Sequence, residues 1–221
     1  MDSSNSTQLD EKPSVYYQRQ RREIEPFIPL DAKKVLDVGC GQGFFGEMLK
    51  SIRDIEVWGI ELDAASAKEA TRRLNNVLSG DVENNLNALS DGYFDCIVFN
   101  DVLEHLADPW HILRIIKSKL SPQGVIVSSI PNIRYFYALR EVLLDKQFPY
   151  REYGIFDRTH LRFFTYKSMI DLFNGSGYSI VKMNGINGFD SWKFSMLNLF
   201  LLNNIADMRY EQYVVIASPA N

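Results

Sequence analysis

Short apolar runs alternate along the chain with stretches in which apolar residues recur at helical spacing. Residues 34–38 (KVLDV) are an apolar run that ends in glycine, the pattern of a buried strand. Residues 44–52 set Phe45, Met48, Leu49 and Ile52 on one helical face. A second strand is predicted over 55–61 (IEVWGIE), a helix of strong helix formers over 64–74, and a brief third strand over 77–79. A fourth strand follows over 94–100 (FDCIVFN), a helix over 110–120, a turn at 122–124 and a fifth strand over 125–130. Strand and helix in alternation imply right-handed crossovers and a parallel sheet with helices on both faces.

The ends are less regular. Residues 1–13 read as a solvated tail. Over 14–25, Val15, Tyr16, Arg19, Arg22 and Glu23 recur at helical spacing until Pro26 and Pro29 stop the helix. After 130 the pattern predicts a helix over 133–144, an aromatic and arginine-rich loop over 145–164, and a helix capped by Thr165 that closes at Asn174-Gly175. A sixth strand over 178–183, an apolar helix or helix pair over 192–208 and a last strand over 211–217 complete the chain. The expectation is one doubly wound α/β domain over 14–221. Its seven-stranded sheet is mostly parallel with the last strand antiparallel, and a small cap comes from 131–165 and 185–210.

Composition narrows this further. The chain has 221 residues, 46% of them hydrophobic, enough for one sizeable core and a cap. Acidic residues number 28 against 24 basic ones, so the formal net charge is -4 and a chain-wide basic footprint for nucleic acid is missing. The two cysteines, Cys40 and Cys96, lie in apolar runs, which excludes a disulfide framework and fits a reducing compartment. The polar start lacks the apolar centre of a signal peptide. The apolar stretch 194–206 is broken by Asn198, Asn203 and Asn204, and falls short of the roughly 20 residues that span a bilayer. A cytoplasmic protein without membrane insertion is expected, with the 192–202 stretch serving as a cap or a homodimer face.

The informative chemistry lies in Val35-Leu36-Asp37-Val38-Gly39-Cys40-Gly41-Gln42-Gly43-Phe44-Phe45-Gly46. A buried strand runs into glycines at alternate positions and then into a helix. Such glycines permit positive φ and let a ligand lie on the backbone, and the helix start offers N–H groups to an anion. Glu61 ends the second strand, where a carboxylate can accept both hydroxyls of a ribose. Asp81 follows the third strand, where it can accept from an exocyclic amine. Taken singly, Asp37 also reads as a solvated strand-end residue and Glu61 as a surface one; the set in order is what points to a site.

These segments resemble a class I S-adenosylmethionine-dependent methyltransferase across about residues 14–218. VLDVGCGQG is similar to the first motif of that family, GIELD to the second, GDVE to the third, FDCIVFNDVLEHLADP to the fourth and LSPQGVIVSSIPN to the fifth. The resemblance implies a cofactor site of Asp37, Gly39, Cys40, Gly41, Gly43, Glu61, Leu62, Asp81, Val82 and Asn100. The N-terminal helix would close over it and set Arg22 on the cofactor carboxylate, unless that helix merely packs on the sheet edge. YREYGIFDRTHLRFFT resembles a loop of bacterial methyltransferases linked to polysaccharide and cell-surface glycan synthesis. On that basis the acceptor is a small molecule or glycan, and the reaction O-methylation of a sugar or another polar hydroxyl.

A hydroxyl acceptor calls for a base. His160 is the leading candidate, against the alternative of a structural histidine on a backbone carbonyl. Asp101 and the Glu104-His105 pair are further candidates, and the pair can instead fix the loop before the helix that Pro109 opens. His111 reads as helix surface, and the histidine spacings offer no metal-ligand pattern. Arg158 and Arg162 could bind an acidic group or be solvated. Tyr135, Phe136, Tyr137, Tyr150, Tyr153, Phe156 and Phe163 could line an acceptor cleft or form a cap core. Two other functions compete: a SAM-binding scaffold or partner subunit without catalysis, and a nicotinamide dehydrogenase. The latter shares the glycines and adds Tyr178-x-x-x-Lys182, but on a strand those two residues stand about 13 Å apart.

Overall fold

The computed structural model describes residues 20–220. Seven strands form one sheet in the order β3-β2-β1-β4-β5-β7-β6. They are β1 (Lys34–Val38), β2 (Glu56–Glu61), β3 (Asn76–Ser79), β4 (Phe94–Asn100), β5 (Leu120–Pro131), β6 (Tyr178–Gly188) and β7 (Tyr210–Pro219). The pairs β1–β2, β1–β4, β2–β3 and β4–β5 are parallel. β7 enters antiparallel between β5 and β6. The strand order therefore reverses between β1 and β4, and a crevice opens beyond their carboxyl ends.

Two hydrophobic cores cover the two faces, because successive side chains of a strand point to opposite sides. In β4, Phe94, Ile97 and Phe99 enter one core, and Cys96 and Val98 enter the other. The first core takes Ile112, Leu113 and Ile116 from α4 (Pro109–Ile116) and Met169, Leu172 and Phe173 from α6 (Tyr166–Gly175). It also takes Val82 from the short α3 (Val82–Asn85). The second takes Phe45, Met48 and Leu49 from α1 (Phe44–Ile52) and Ala70 from α2 (Ala64–Ala70). The expected doubly wound α/β architecture is present, with its antiparallel strand at β7.

Several boundaries differ from the pattern. Residues 14–19 of the expected N-terminal helix, like the 1–13 tail, lie outside the described residues. Residues 22–24 form a turn that enters a 3-10 segment at Glu25–Phe27, and Arg21 just before it adopts φ 47°. α2 stops at Ala70 because the chain must turn back to pair β3 with β2, and Asn75 Oδ1 accepts from Val57 N at 3.0 Å in that turn. The 122–124 turn lies within β5, where the register shifts between Phe94 and Cys96.

β6 runs five residues past its expected end, through Asn184-Gly185-Ile186-Asn187-Gly188. That stretch has little apolar periodicity; its order comes from pairing with β7. Gly185 lets the Tyr210 ring lie on the backbone, since a Cβ there would sit 2.1 Å from Tyr210 Cγ. The cap contains α5 (Phe136–Leu143) and α7 (Trp192–Phe200). Tyr135, Phe136, Tyr137, Phe189 and Phe194 pack edge to face between them. Trp192, Met196, Leu199 and Phe200 remain exposed. Among the described residues, no helix is long and apolar enough to cross a membrane.

Gly59 ties the sheet to the glycine turn that follows β1. A Cβ at Gly59 would lie 2.5 Å from Cys40 Sγ and 2.8 Å from Leu74 Cδ1. Gly59→Ala is therefore expected to lower unfolding free energy by about 1–3 kcal/mol, the usual range for overpacking. Adding Cys40→Ala should recover most of that loss in urea denaturation. A double variant no more stable than Gly59→Ala alone would rule out this contact as the cause.

Candidate active site

The turn after β1 is built by backbone conformations that favour glycine. Gly39, Gly41 and Gly43 adopt φ of 72°, 54° and 83°. Gly39 N and Cys40 N donate to the carbonyl of Ile60 at 2.8 and 3.1 Å, so the turn leans on the end of β2. A Cβ on Gly39 would lie 2.6 Å from Val102 Cγ2, which makes this turn and the segment after β4 close neighbours. Gly43 caps α1 from the left-handed region.

Glu61, buried at the end of β2, closes the arrangement. Its Oε2 accepts from Gly41 N at 2.8 Å and its Oε1 from Asp63 N at 2.9 Å. Burial raises its pKa, and the two backbone N–H groups work against that rise. Asp37 on β1 is 2% exposed. Burial above all, with help from the Glu61 carboxylate, pushes its carboxyl up to about 8, while Arg21 pulls it down. Asp37 Oδ1 and both amide atoms of Asn100 are buried with no hydrogen-bond partner among the described residues. Buried polar atoms are nearly always bonded, and these three are candidates for contacts to a polar ligand.

The other cofactor candidates fall around this centre. Leu62 is exposed just beyond Glu61. Asp81 is exposed and caps α3, accepting from Glu83 N at 2.8 Å. Val82 and Cys40 are buried, so their side chains serve the cores. Arg22 is exposed and donates to Gln20 Oε1 at 2.9 Å. Arg21, which the sequence pattern did not single out, is the arginine that reaches the sheet edge, because the chain at 21–24 turns where a helix was expected. It pairs with Asp101 and donates to Ser129 Oγ at 2.8 Å.

Beside the crevice lies a cavity of about 580 Å³ whose lining includes Arg21, Asp101, Glu104, Tyr153, Ile155, His160 and Gln212. Asp101 follows β4 at φ 55°. Its carboxylate accepts from Ser129 Oγ at 3.0 Å and Gln212 Nε2 at 2.9 Å besides pairing with Arg21. The loop before α6 is fastened to the segment after β4, since Leu161 N and Arg162 N both donate to the Glu104 carbonyl, at 2.9 and 3.0 Å.

That fastening brings Glu104, His105 and His160 together. The two imidazoles meet edge to face at 4.7 Å between centroids. His160 Nδ1 lies 3.0 Å from the Ile155 carbonyl and His105 Nδ1 lies 3.2 Å from the Thr159 carbonyl. A carbonyl only accepts, so His160 Nδ1 carries the proton in its bond, and His105 Nδ1 lies also 3.1 Å from Thr159 Oγ1. His160 Nε2 faces Glu104 Oε1 at 3.9 Å. One ligand atom from each of Glu104, His105 and His160 lies within 4.8 Å of the others, a donor set able to hold a metal ion. Sequence spacing offered no such group, because the three residues come from two distant segments.

His111 is a helix-surface residue that pairs with Glu83 at 3.3 Å. Arg158 pairs with Glu152, and Arg162 donates to the Ala107 carbonyl at 2.5 Å, so neither lines the cavity. Of the candidate cleft aromatics Tyr153 lines it, while Tyr150, Phe156 and Phe163 each pack against the Phe148 ring in the cap. Tyr178 and Lys182 share strand β6, and the Tyr178 hydroxyl donates to the buried Leu113 carbonyl at 2.7 Å, which removes the dehydrogenase-like pair.

Residues 12–183 match the model of a methyltransferase domain family, and the chain belongs to that family. A ubiquinone biosynthesis O-methyltransferase of Chromobacterium violaceum is 33% identical over 116 residues, 49% of each chain. The chain spans about half the length of curated relatives of this kind. A SAM-dependent methyltransferase of Archaeoglobus fulgidus is 25% identical, with a TM-score of 0.63 over 92% of both chains. The SpnF [4+2]-cyclase, 14% identical, shares the fold at a TM-score of 0.62 over 94% of this chain and 81% of its own. The cofactor that the family and the fold specify is S-adenosylmethionine. The residues here suit it: unpartnered Asp37 and Asn100 beside a glycine cradle offer acceptors and a donor to a molecule rich in amine and hydroxyl groups.

The Asp37 shift has a stability consequence. Its folded pKa of about 8 lies above the ordinary value of 3.8, so between those values the folded state holds a proton that the unfolded state has lost. The stability this group contributes is full below the ordinary value and is lost as pH rises towards 8. The ligand-free protein should melt at a lower temperature at pH 8 than at pH 6, and Asp37→Asn should flatten the fall. An identical pH dependence in both proteins would contradict the assignment.

Proposed function

We propose that this protein transfers the methyl group of S-adenosylmethionine to a hydroxyl oxygen of a small-molecule acceptor. The observation that carries the reading is one juxtaposition at the switch point of the sheet. Unpartnered buried groups of Asp37 and Asn100 adjoin a glycine turn on one side, and a cavity edged by Asp101, Glu104 and His160 lies on the other. The cofactor supplies a methyl group already activated on a sulfonium. The chain then has to hold the cofactor, orient the acceptor and take up a proton.

Glu61 is assigned the ribose hydroxyls, and Asp37 and Asn100 the polar groups of the methionine moiety. His160 is assigned the acceptor proton. Its Nδ1 faces the Ile155 carbonyl and its Nε2 faces Glu104 Oε1 at 3.9 Å, and the Glu104 carboxylate would stabilise the imidazolium formed when the ring takes the proton. Asp101 is an orienting group in this reading, because its carboxylate is already held by Arg21, Ser129 and Gln212. The relatives reported above support a hydroxyl acceptor by their names as O-methyltransferases of ubiquinone biosynthesis. Arg158 and Arg162 stand away from the cavity, so the arginines that an acceptor would meet there are Arg21 and Arg22. The convergence of Glu104, His105 and His160 favours one second reading, in which these three hold a divalent cation that binds the acceptor oxygen.

Calorimetry should show binding of S-adenosylmethionine and none of NAD; the reverse result would return the chain to the dehydrogenases. Glu61→Gln should weaken S-adenosylmethionine binding about tenfold or more, since a hydrogen bond to a charged acceptor contributes about 1.5–3 kcal/mol. An unchanged Kd in a folded variant would remove the ribose assignment.

His160→Ala should lower turnover by about 10²–10⁴-fold, the usual contribution of general-base catalysis, with Kd for S-adenosylmethionine nearly unchanged. Treatment with EDTA separates the two readings. Full activity after chelation supports His160 as the base, and loss reversed by added Mg²⁺ or Mn²⁺ supports the cation.

A further inference from the structure

Arg21 belongs to the N-terminal segment, yet its guanidinium is planted among the carboxyl ends of the sheet. It pairs with Asp101, donates to Ser129 Oγ at 2.8 Å and lies 3.4 Å from Gln212 Oε1. Its side chain is only 9% exposed. Its Nε pairs with Glu23 at 3.0 Å, and burial of the cation is offset by Asp101 and Glu23, so it stays charged. Asp101 is fixed from the other side by Gln212 Nε2, and Asn187 Nδ2 donates to Gln212 Oε1 at 3.2 Å. One network thus joins the N-terminal segment to the ends of β4, β5, β6 and β7.

Two features suggest more than packing. Both Arg21 and Asp101 sit at positive φ, at 47° and 55°, a conformation that non-glycine residues hold only when the surroundings enforce it. Both also line the cavity assigned to the acceptor. A planar fork that engages Asp101 and Ser129 together fixes the direction of the carboxylate, which a single point charge cannot do.

We propose that Arg21 is a positioning residue for methyl transfer, acting through Asp101 to hold the segment after β4, and with it the Glu104–His160 side of the cavity, in the reactive arrangement. The proposal rests on the methyl-transfer reading above.

The test compares wild type, Arg21→Met and Arg21→Lys with labelled S-adenosylmethionine and a panel of catechol, 3,4-dihydroxybenzoate and methyl glycosides. Arg21→Met should lower kcat about 10²-fold, the scale of a small misplacement of reacting groups. The KM for S-adenosylmethionine should stay within about threefold, since the effect is on alignment and not on uniform binding. Arg21→Lys should recover part of kcat. A loss carried by a raised KM and Kd for S-adenosylmethionine, with kcat intact, would overturn the proposal and make Arg21 a cofactor ligand. If wild type methylates no member of the panel, the acceptor reading fails, and amide exchange decides on Arg21. Arg21→Met should then speed exchange over residues 101–106 with little change in Tm; unchanged exchange there overturns the positioning role.

Discussion

The Glu61 carboxylate, accepting from the backbone of Gly41 and of Asp63, is the contact on which the crevice depends. It ties the end of β2 to the turn after β1, and the same turn is pinned again where Gly39 and Cys40 donate to Ile60. A glycine turn alone has many conformations to lose. Held at both edges, it keeps its positive φ values and leaves Asp37 buried below it with an oxygen unpartnered among the described residues. The charge chemistry follows. Two carboxyl groups share a dry pocket, both are pushed towards the neutral form, and a cationic ligand group would reverse that preference.

The other half of the site depends on a different kind of contact. Glu104 uses its backbone carbonyl to hold Leu161 and Arg162, so the loop that carries His160 is anchored by main-chain bonds that do not require particular side chains at 161 and 162. The anchor sets His160 against His105 and Glu104, and Asp157, Thr159 and His105 continue the chain of bonds. A buried network of this kind is stiff when its members are satisfied, which suits groups that must meet a reacting atom within a fraction of an ångström. In the proposed reading the cofactor half rests on the sheet, and the acceptor half on a cap clamped to it. The fold leaves room for different chemistries in the cap, because function depends on the residues a site carries and not on the fold that holds them.

The sequence by itself determined the doubly wound sheet, since a strand buried on both faces needs an unbroken apolar run and a crossover helix needs a one-sided stripe. It also determined the glycine turn and the acids at the ends of β1 and β2, because those positions follow strands whose ends are legible. Placement by tertiary structure decided the rest. Arg21 reaches Asp101 across eighty positions of sequence, and its neighbour Arg22, equally charged, is exposed and bonds to Gln20. No local pattern distinguishes the two, because a turn, not a helix, sets which one faces inward. The extension of β6 through Asn184 to Gly188 is dictated by its partner strand and by the Tyr210 ring, neither of which leaves a periodic signal in those residues. Glu104, His105 and His160 form a cluster only because backbone bonds join two loops, and a bond to a carbonyl leaves no mark on the identity of the residue that offers it.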